Sequence, residues 1–259
     1  PKAGFAAIQR PQPRKVSRLR YAIISDIHAN LEALQAVLAR IKELSIDQTV
    51  CLGDVVGYNA NPNECADIVR ESGMPTICGN HDAVACGIEE PWGFNPVALQ
   101  AALWTREHLS PTNLEWLRKL PDNMQFPHFL AAHGSPTDRD CYLFTWEDVL
   151  PHLQYVTDQN YRLCFFGHTH SPGIFSADGM YSVDDNGKFQ LGDGKAFFIN
   201  PGSVGQPRDG DARAAFGLFD SEKNEYELIR VDYEVNAAAD RIRQAGLPPF
   251  LAERLTMGR

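Results

Sequence analysis

Five short apolar segments of this sequence are each followed directly by aspartate, histidine or asparagine. In the first, the apolar run 21–24 leads into Ser25-Asp26-Ile27-His28. Because side chains two residues apart in an extended chain point the same way, this carboxylate and imidazole can bind one metal ion together. One such pair is weak evidence, but its recurrence predicts a metal site. The other four sets are Gly53-Asp54, Gly79-Asn80-His81-Asp82, His133-Gly134 and Gly167-His168-Thr169-His170.

The ligand types at these positions predict a site for two divalent cations. The set contains two carboxylates, one amide oxygen and four imidazoles, which is too many for one ion: Asp26, Asp54, Asn80, His28, His133, His168 and His170. Oxygen and imidazole donors without thiolate suit Mn²⁺ or Fe, and also Zn²⁺, Co²⁺ or Ni²⁺, and disfavour Cu(I) or an iron–sulfur cluster. Asp54 lies on a tight turn between the other sets, so we expect its carboxylate to bridge the two cations.

The segments that carry these residues alternate with helical patterns, which predicts an α/β fold. In open α/β sheets, ligand sites form beyond the carboxyl ends of the strands, so the polar residues should converge at one edge. Glycines before Asp54, Asn80 and His168 allow sharp turns there. Strands are predicted at 21–25, 49–52, 75–78, 129–132 and 163–166, an amphipathic helix at 31–45, and a helix that begins at Pro62 and ends at Gly73.

The remaining parts of the chain differ in residue composition and in the elements that their patterns predict. Residues 83–125 are rich in Leu, Ala and Trp, with helix starts at Asn95-Pro96 and Ser110-Pro111. We interpret them as a small helical insert that could cover the site. Past residue 170 the pattern favours hairpins, then helix. These elements are a hairpin with Asn186-Gly187 between strands near 181–185 and 188–191, a strand at 196–199, strands 214–219 and 225–233, a helix near 236–245 and a short segment after Pro249.

Composition limits the classes of protein to consider. The 259 residues are 44% hydrophobic and 22% charged, as in a globular domain, and no run approaches the length of a membrane helix. A net charge of −9 makes a general nucleic-acid partner improbable. The six basic and no acidic residues of 1–20 predict an N-terminal arm before a domain over 21–259. Six cysteines without a Cys-x-x-Cys pair predict reduced thiols and a cytoplasmic location.

In their order along residues 21–205, the five sets resemble the blocks of the calcineurin-like metallophosphoesterases. The segments 53–58, 200–203 and 206–208 are similar to the compact bacterial branch of that family. The resemblance implies a four-layer α/β/β/α sandwich, in which two mixed sheets are flanked by helices. It also implies roles for the site residues: Asp26, His28 and His170 for the first metal, Asn80, His133 and His168 for the second, Asp54 as the bridge, His81 as the catalytic imidazole, and Asp82 as the residue that orients it.

The resemblance implies hydrolysis of a small phosphate ester by a phosphatase or phosphodiesterase. Two cations would activate a water for attack on phosphorus, and His81 would protonate the leaving group. A phosphoprotein phosphatase is the alternative, although no arginine follows Asp82-Ala83 as it does in the eukaryotic enzymes. A non-catalytic metal-binding scaffold of the same fold is the second alternative. Tyr58 could stack on a substrate base or pack its loop, and Arg208 could steer phosphate or lie on the surface.

Overall fold

The computed structural model describes residues 18–185 and 187–259. Most of the predicted basic arm, residues 1–17, lies outside the described residues. None of the helices in the described part is long and apolar enough to cross a membrane. The helices are α1 (Leu31–Glu43), α2 (Pro62–Ser72), α3 (Asn80–Cys86), α4 (Pro96–His108), α5 (Pro111–Leu117), α6 (Trp146–Asp158), α7 (Val235–Gln244) and α8 (Pro249–Met257).

The strands form two mixed sheets. The five-stranded sheet has the order β2-β1-β10-β11-β8, and the six-stranded sheet has the order β3-β4-β5-β9-β6-β7. The parallel pairs are β1 with β2, β4 with β5, and β5 with β9, and the other neighbours are antiparallel. The strands are β1 (Arg20–Ile24), β2 (Gln48–Cys51), β3 (Asn123–Gln125), β4 (Leu130–Ala132), β5 (Leu163–Phe165), β6 (Gly173–Ser176), β7 (Gly179–Tyr181), β8 (Lys188–Gln190), β9 (Phe197–Asn200), β10 (Ala214–Asp220) and β11 (Glu225–Val231).

Alternation of side chains along the strands assigns residues to the layers. In β1, Tyr21 and Ile23 pack between the two sheets, while Ala22 and Ile24 pack under helices α1 and α2. On the other side, α6 covers the outer face of β4, β5 and β9. Neighbouring residues of a strand face opposite sides, so both faces of a central strand must be apolar. The observed order of layers is therefore helices, sheet, sheet and helix, as the resemblance implied.

Four of the five predicted site strands are confirmed to within about two residues, as β1, β2, β4 and β5. The prediction for 75–78 is wrong, because that segment forms only one parallel bridge, between Thr76 and Cys51. Pro75 has no N–H to donate, and the N–H of Cys78 donates to Pro121 O at 2.8 Å instead. The segment therefore runs beside β2 for one residue and then leads into α3.

The helix starts predicted for the insert are confirmed. The Asn95 side chain accepts from Val97 N and Ala98 N, and the Ser110 side chain accepts from Asn113 N, as N-caps do. The insert differs at both ends from the prediction, since α3 begins at the site and β3 joins the six-stranded sheet. Helix α6 and strand β6 were not anticipated.

The predicted hairpin around residues 186–187 is wrong. Strand β7 pairs with β6 in one sheet and β8 pairs with β11 in the other, so the two flanks never meet. Asn186 itself lies outside the described residues. The pairing of 214–219 with 225–233 and the two C-terminal helical segments are confirmed as β10, β11, α7 and α8.

The packing between the sheets predicts a large effect for Phe129. Its ring is fully buried and lies 5.0 Å, between ring centroids, from both Tyr21 of one sheet and Phe165 of the other. Phe129→Ala should lower the free energy of unfolding by about 3–5 kcal/mol, measured by urea denaturation. The matched change Phe144→Ala, at a 54% exposed position, should cost less than about 1 kcal/mol. Equal losses in the two variants would contradict this account of the core.

Candidate metal centre

The structure brings all seven predicted metal ligands to one end of the two sheets. Asp26 and His28 follow β1, Asp54 follows β2, His133 follows β4, and His168 with His170 follows β5. The seventh, Asn80, is the first residue of α3. Each of the seven is no more than 5% exposed. Segments that lie more than 140 residues apart in sequence thus meet in a closed polar cluster, beyond the carboxyl ends of parallel strands.

The backbone at this end of the sheets is left-handed at many non-glycine positions. Among the predicted ligands, five have positive φ angles between 47° and 67°: Asp26, His28, Asp54, His168 and His170. An L-residue in this region costs free energy, and such residues concentrate at functional sites whose surroundings hold them. The chain reverses sharply after β1, β2 and β5, which turns the side chain of the first polar residue towards the shared cluster.

Hydrogen bonds between the loops hold this backbone in place. Asp26 N donates to Gly53 O at 3.1 Å, and His28 N donates to Asp54 O at 2.8 Å, which ties the first two loops together. The end of β9 and the loop after it brace the loops after β1 and β5: Ser203 Oγ donates to Asp26 O at 2.8 Å, and Asn200 Nδ2 donates to Gly167 O at 2.8 Å. The ligands therefore sit on a cross-linked frame and need little reorganisation to bind an ion.

Four side chains form a first group around a common point. Asp26, His28, Asp54 and His170 each offer a ligand atom within 4.8 Å of the others. The Nε2 atoms of His28 and His170 are 3.0 Å apart, and His170 Nε2 lies 3.4 Å from Asp26 Oδ1. His28 Nε2 lies 3.3 Å from Asp54 Oδ2. All four are buried, so this is a compact set of nitrogen and oxygen donors closed to solvent.

The short contact between the two imidazoles requires a cation or a proton between them. His28 Nδ1 lies 3.1 Å from Val56 O, and His170 Nδ1 lies 2.7 Å from Gln206 O, so each Nδ1 is the donor. Each Nε2 of the neutral ring is then an acceptor, and the two lone pairs face each other. Burial holds the pKa of both imidazoles well below the ordinary value, which disfavours a proton at this contact. A metal ion bound by both Nε2 atoms would relieve it.

A second group shares Asp54 with the first. Asp54, His133 and His168 offer atoms within 4.8 Å of one another. His133 Nε2 lies 3.3 Å from Asp54 Oδ2 and 3.3 Å from Asn80 Oδ1, while its Nδ1 lies 2.8 Å from Leu52 O. In His28, His133 and His170, Nδ1 contacts a main-chain carbonyl and Nε2 faces the cluster. In His168 it is Nδ1 that faces the cluster, 3.1 Å from Asn80 Oδ1. Burial alone would lower the pKa of His133, but the negative charge of Asp54 outweighs it and raises the pKa to about 9.

Two buried carboxylate oxygens also indicate that a cation binds at this cluster. Asp26 Oδ2 and Asp54 Oδ2 are inaccessible to solvent and accept no hydrogen bond from the described residues. Their partner oxygens accept only backbone N–H groups, from His168 and His81 respectively. Burial raises the pKa of Asp26 to about 6, as expected for a carboxylate without a cation. The donor set and its unpaired atoms therefore fit divalent metal binding.

The predicted orienting contact of Asp82 with His81 is not formed. Asp82 Oδ1 accepts from Val56 N and Oδ2 accepts from Gly79 N, both at 3.1 Å, so this carboxylate ties the loop after β2 to the start of α3. His81 Nδ1 is buried without a hydrogen-bond partner in the described part of the chain. The His81 ring is held instead by Tyr58 and Phe94, at centroid distances of 4.3 and 4.7 Å.

Both residues left open by the sequence lie at the site. Tyr58 is 5% exposed and contacts the rings of His28 and His81, so its position is that of a packing residue. Arg208 is half-buried, and its main-chain N–H donates to His170 O at 3.2 Å. Sequence reasoning missed Tyr142, whose ring lies 4.0 Å from that of His168. Nothing in its sequence neighbourhood marks it. The segment Asn200-Pro-Gly-Ser203, by contrast, is one of those that resemble the compact bacterial branch, although the sequence gives it no role.

A family model for the calcineurin-like phosphoesterase superfamily domain matches residues 19–224. The chain belongs to this superfamily. An uncharacterized protein of Methanocaldococcus jannaschii is 41% identical to this chain over 244 residues, which cover 92% of the chain and 98% of that protein. A metallophosphoesterase of Sphaerobacter thermophilus is 34% identical, with a TM-score of 0.83 over 94% of this chain and 100% of that one. A hypothetical protein of Pyrococcus horikoshii, 22% identical with a TM-score of 0.77 over 93% of this chain and 98% of that one, shares the fold.

Family membership and the buried cluster together support metal-dependent hydrolysis of phosphoesters as the general activity of this chain. The family match covers the whole frame of the two sheets up to β10, and the cluster is a property of the side chains at one end of that frame.

The close approach of Gly79 to the Asp54 side chain predicts that metal binding depends on this glycine. A Cβ at this position would lie 2.1 Å from Asp54 Oδ1 and 2.3 Å from Asp54 N. Gly79→Ala must therefore displace the carboxylate that both groups share, and should weaken Mn²⁺ binding at least about tenfold, measured by isothermal titration calorimetry. Gly192→Ala is the control, because a Cβ there meets only the Lys195 side chain, at 3.8 Å. Unchanged affinity in Gly79→Ala would show that Asp54 does not bind the metal.

Proposed function

We propose that this chain hydrolyses small phosphate esters, as a phosphatase or phosphodiesterase, with two divalent cations of which Mn²⁺ or Fe is the best match to the donors. The observation that carries the proposal is the position of Asp54 Oδ2, which lies 3.3 Å from His28 Nε2 in one group and 3.3 Å from His133 Nε2 in the other. One carboxylate thus belongs to two ligand sets, which is the arrangement that a pair of adjacent cations needs.

The ligands divide between two cations along the lines of the two groups. Asp26, His28 and His170 would hold the first and Asn80, His133 and His168 the second, with Asp54 shared. When bound, such cations neutralise charge on the phosphoryl oxygens and lower the pKa of water, which makes a nucleophile available at neutral pH. The backbone carbonyls that accept from the Nδ1 atoms of His28, His133 and His170 fix those rings with Nε2 facing inward.

His81 is the group of this chain placed to act on the leaving oxygen. Its ring centroid lies 4.9 Å from that of His28. The main-chain N–H of His81 donates to Asp54 Oδ1, so the side chain starts at the edge of the metal groups. Burial lowers the pKa of His81 to about 4 in the protein alone. The negative charge of a bound phosphate favours the imidazolium, which is the form that donates a proton to the leaving alkoxide.

The shared carboxylate gives the first test. Asp54→Asn should lose metal content and should lower kcat/KM for bis-p-nitrophenyl phosphate by at least about 100-fold, because both ligand groups lose their common anion. Metal content would be measured by inductively coupled plasma mass spectrometry on protein saturated with Mn²⁺ and desalted. Asp240→Asn, on the exposed side of α7, is the control and should retain metal and activity. Full activity in Asp54→Asn would refute the bridging role.

The second test separates proton donation from metal binding. His81→Ala should keep the metal content of the wild type and should lower turnover of alkyl phosphate esters by about 10²–10⁴-fold. p-Nitrophenyl esters should lose far less, because p-nitrophenolate leaves without a proton. His108→Ala, an exposed imidazole on α4, serves as the control. If both classes of ester lose activity equally, His81 is not the acid.

A further inference from the structure

A cleft of about 420 Å³ lies beside the imidazole that is proposed as the proton donor. Its apolar lining is formed by Val84, Ile88, Trp92 and Phe94. Phe94 borders both the cleft and the site, because its ring centroid lies 4.7 Å from that of His81. A cleft of this size with apolar and aromatic walls is typical of binding sites for small molecules.

The backbone places the cleft along the face of α3 that carries His81. Val84 lines the cleft and follows His81 by three residues in α3, so the two side chains lie on one face of the helix. The helix ends at Gly87, whose φ of +79° turns the chain sharply. The chain then passes through Ile88 at the cleft and reaches Phe94 at the His81 ring. The cleft therefore extends outward from the imidazole.

Two large apolar side chains of the cleft are exposed to solvent. Trp92 is 87% exposed and Ile88 is 47% exposed, so neither contributes much to the core of the protein. Exposed apolar side chains that gather at one cleft mark a binding surface. An indole ring binds another aromatic ring by stacking, and this contact tolerates many different ring systems. The cleft thus suits a ligand group with an aromatic ring.

The charged residues that line the cleft are mainly acidic. They are Glu89, Glu90 and Asp140. Glu89 is paired with Arg139, at 2.9 Å between Oε1 and Nη2. Glu90 and Asp140 form no ion pair in the part of the chain that the structure describes. Unpaired carboxylates repel an anionic group nearby, so the cleft favours a ligand group without negative charge.

We propose that this cleft binds the leaving group of the substrate, and that the leaving group is uncharged and contains an aromatic ring, as a nucleoside or a benzylic alcohol does. The inference rests on the proposed function, since an imidazole that protonates the leaving oxygen has the leaving group beside its own ring. Trp92 determines specificity in this account. It stacks on the aromatic ring and takes no part in the proton transfer.

Three alkyl phosphates with leaving alcohols of similar acidity test the cleft by turnover: benzyl, ethyl and 4-carboxybenzyl phosphate. With Mn²⁺-loaded wild type, kcat/KM should be at least about tenfold higher for benzyl than for ethyl phosphate, because only the benzyl group stacks. Trp92→Ala should lower this ratio at least about threefold, and Trp92→Phe should keep part of it. Tyr155→Ala is the control, because this partly exposed ring on α6 does not line the cleft.

The carboxylated ester tests the charge of the cleft. Its kcat/KM should be about threefold lower than that of benzyl phosphate, because Glu90 and Asp140 repel the added carboxylate. Glu90→Gln should reduce the difference. Equal kcat/KM values for the two benzyl esters in the wild type would contradict the exclusion of negative charge.

A binding measurement tests the cleft without turnover. In 2-phenylethylphosphonate and propylphosphonate a methylene group replaces the ester oxygen of benzyl and ethyl phosphate, so neither compound is hydrolysed. By isothermal titration calorimetry, Mn²⁺-loaded wild type should bind the phenylethyl compound at least about tenfold more tightly, and Trp92→Ala should lower this preference at least about threefold. Metal content and melting temperature show whether the variant is folded.

The two measurements separate this inference from the proposed function. No preference for the aromatic compound in the wild type, or a preference that Trp92→Ala leaves unchanged, overturns the assignment of the cleft even if the esters are hydrolysed. A preference in binding that Trp92→Ala lowers supports the cleft as the aromatic subsite even if no ester is hydrolysed, in which case only the proposed function fails.

Discussion

The structure depends on one electrostatic constraint, the burial of two carboxylates and four imidazoles at a single point. Each of these groups would lose hydration on folding, and Asp26 Oδ2 and Asp54 Oδ2 gain no hydrogen bond in return within the described residues. His28 and His170 even turn acceptor nitrogens towards each other at 3.0 Å. Packed like this, the side chains are unfavourable for the protein by itself and favourable around cations. The fold holds the arrangement because the rest of both sheets is apolar and extensive.

The hydrogen bonds between the loops around the cluster show what offsets this unfavourable free energy. Left-handed backbone at Asp26, His28 and Asp54 is unfavourable residue by residue, yet the loops bond to one another through main-chain groups and through Ser203 and Asn200. The bond from Ser203 Oγ to Asp26 O joins the loop after β9 in one sheet to the loop after β1 in the other, so displacing either loop disturbs both. Rigid placement of the ligands and the cohesion of the two sheets at this end are thus the same set of interactions.

The parts of the site that could be predicted are those written in local sequence. An apolar run that stops at a polar residue marks a strand end, so the ligand positions could be predicted from β1, β2, β4 and β5. The role of Asp82 could not, because its oxygens accept from backbone N–H groups, including that of Val56 in another loop, and sequence spacing carries no record of such a bond. The hairpin around residues 186–187 failed for a related reason, since a turn signal says nothing about which sheet each flank joins.

The C-terminal helices show why the substrate side of the site is the least predictable from sequence. The family match ends at residue 224, before β11, α7 and α8. Yet α8 and Tyr58 belong to one buried cluster, and Tyr58 contacts both His28 and His81, so a segment beyond the matched region helps to pack the ring beside these imidazoles. The ligand groups lie within the matched region, and the helices that follow it complete the packing around Tyr58.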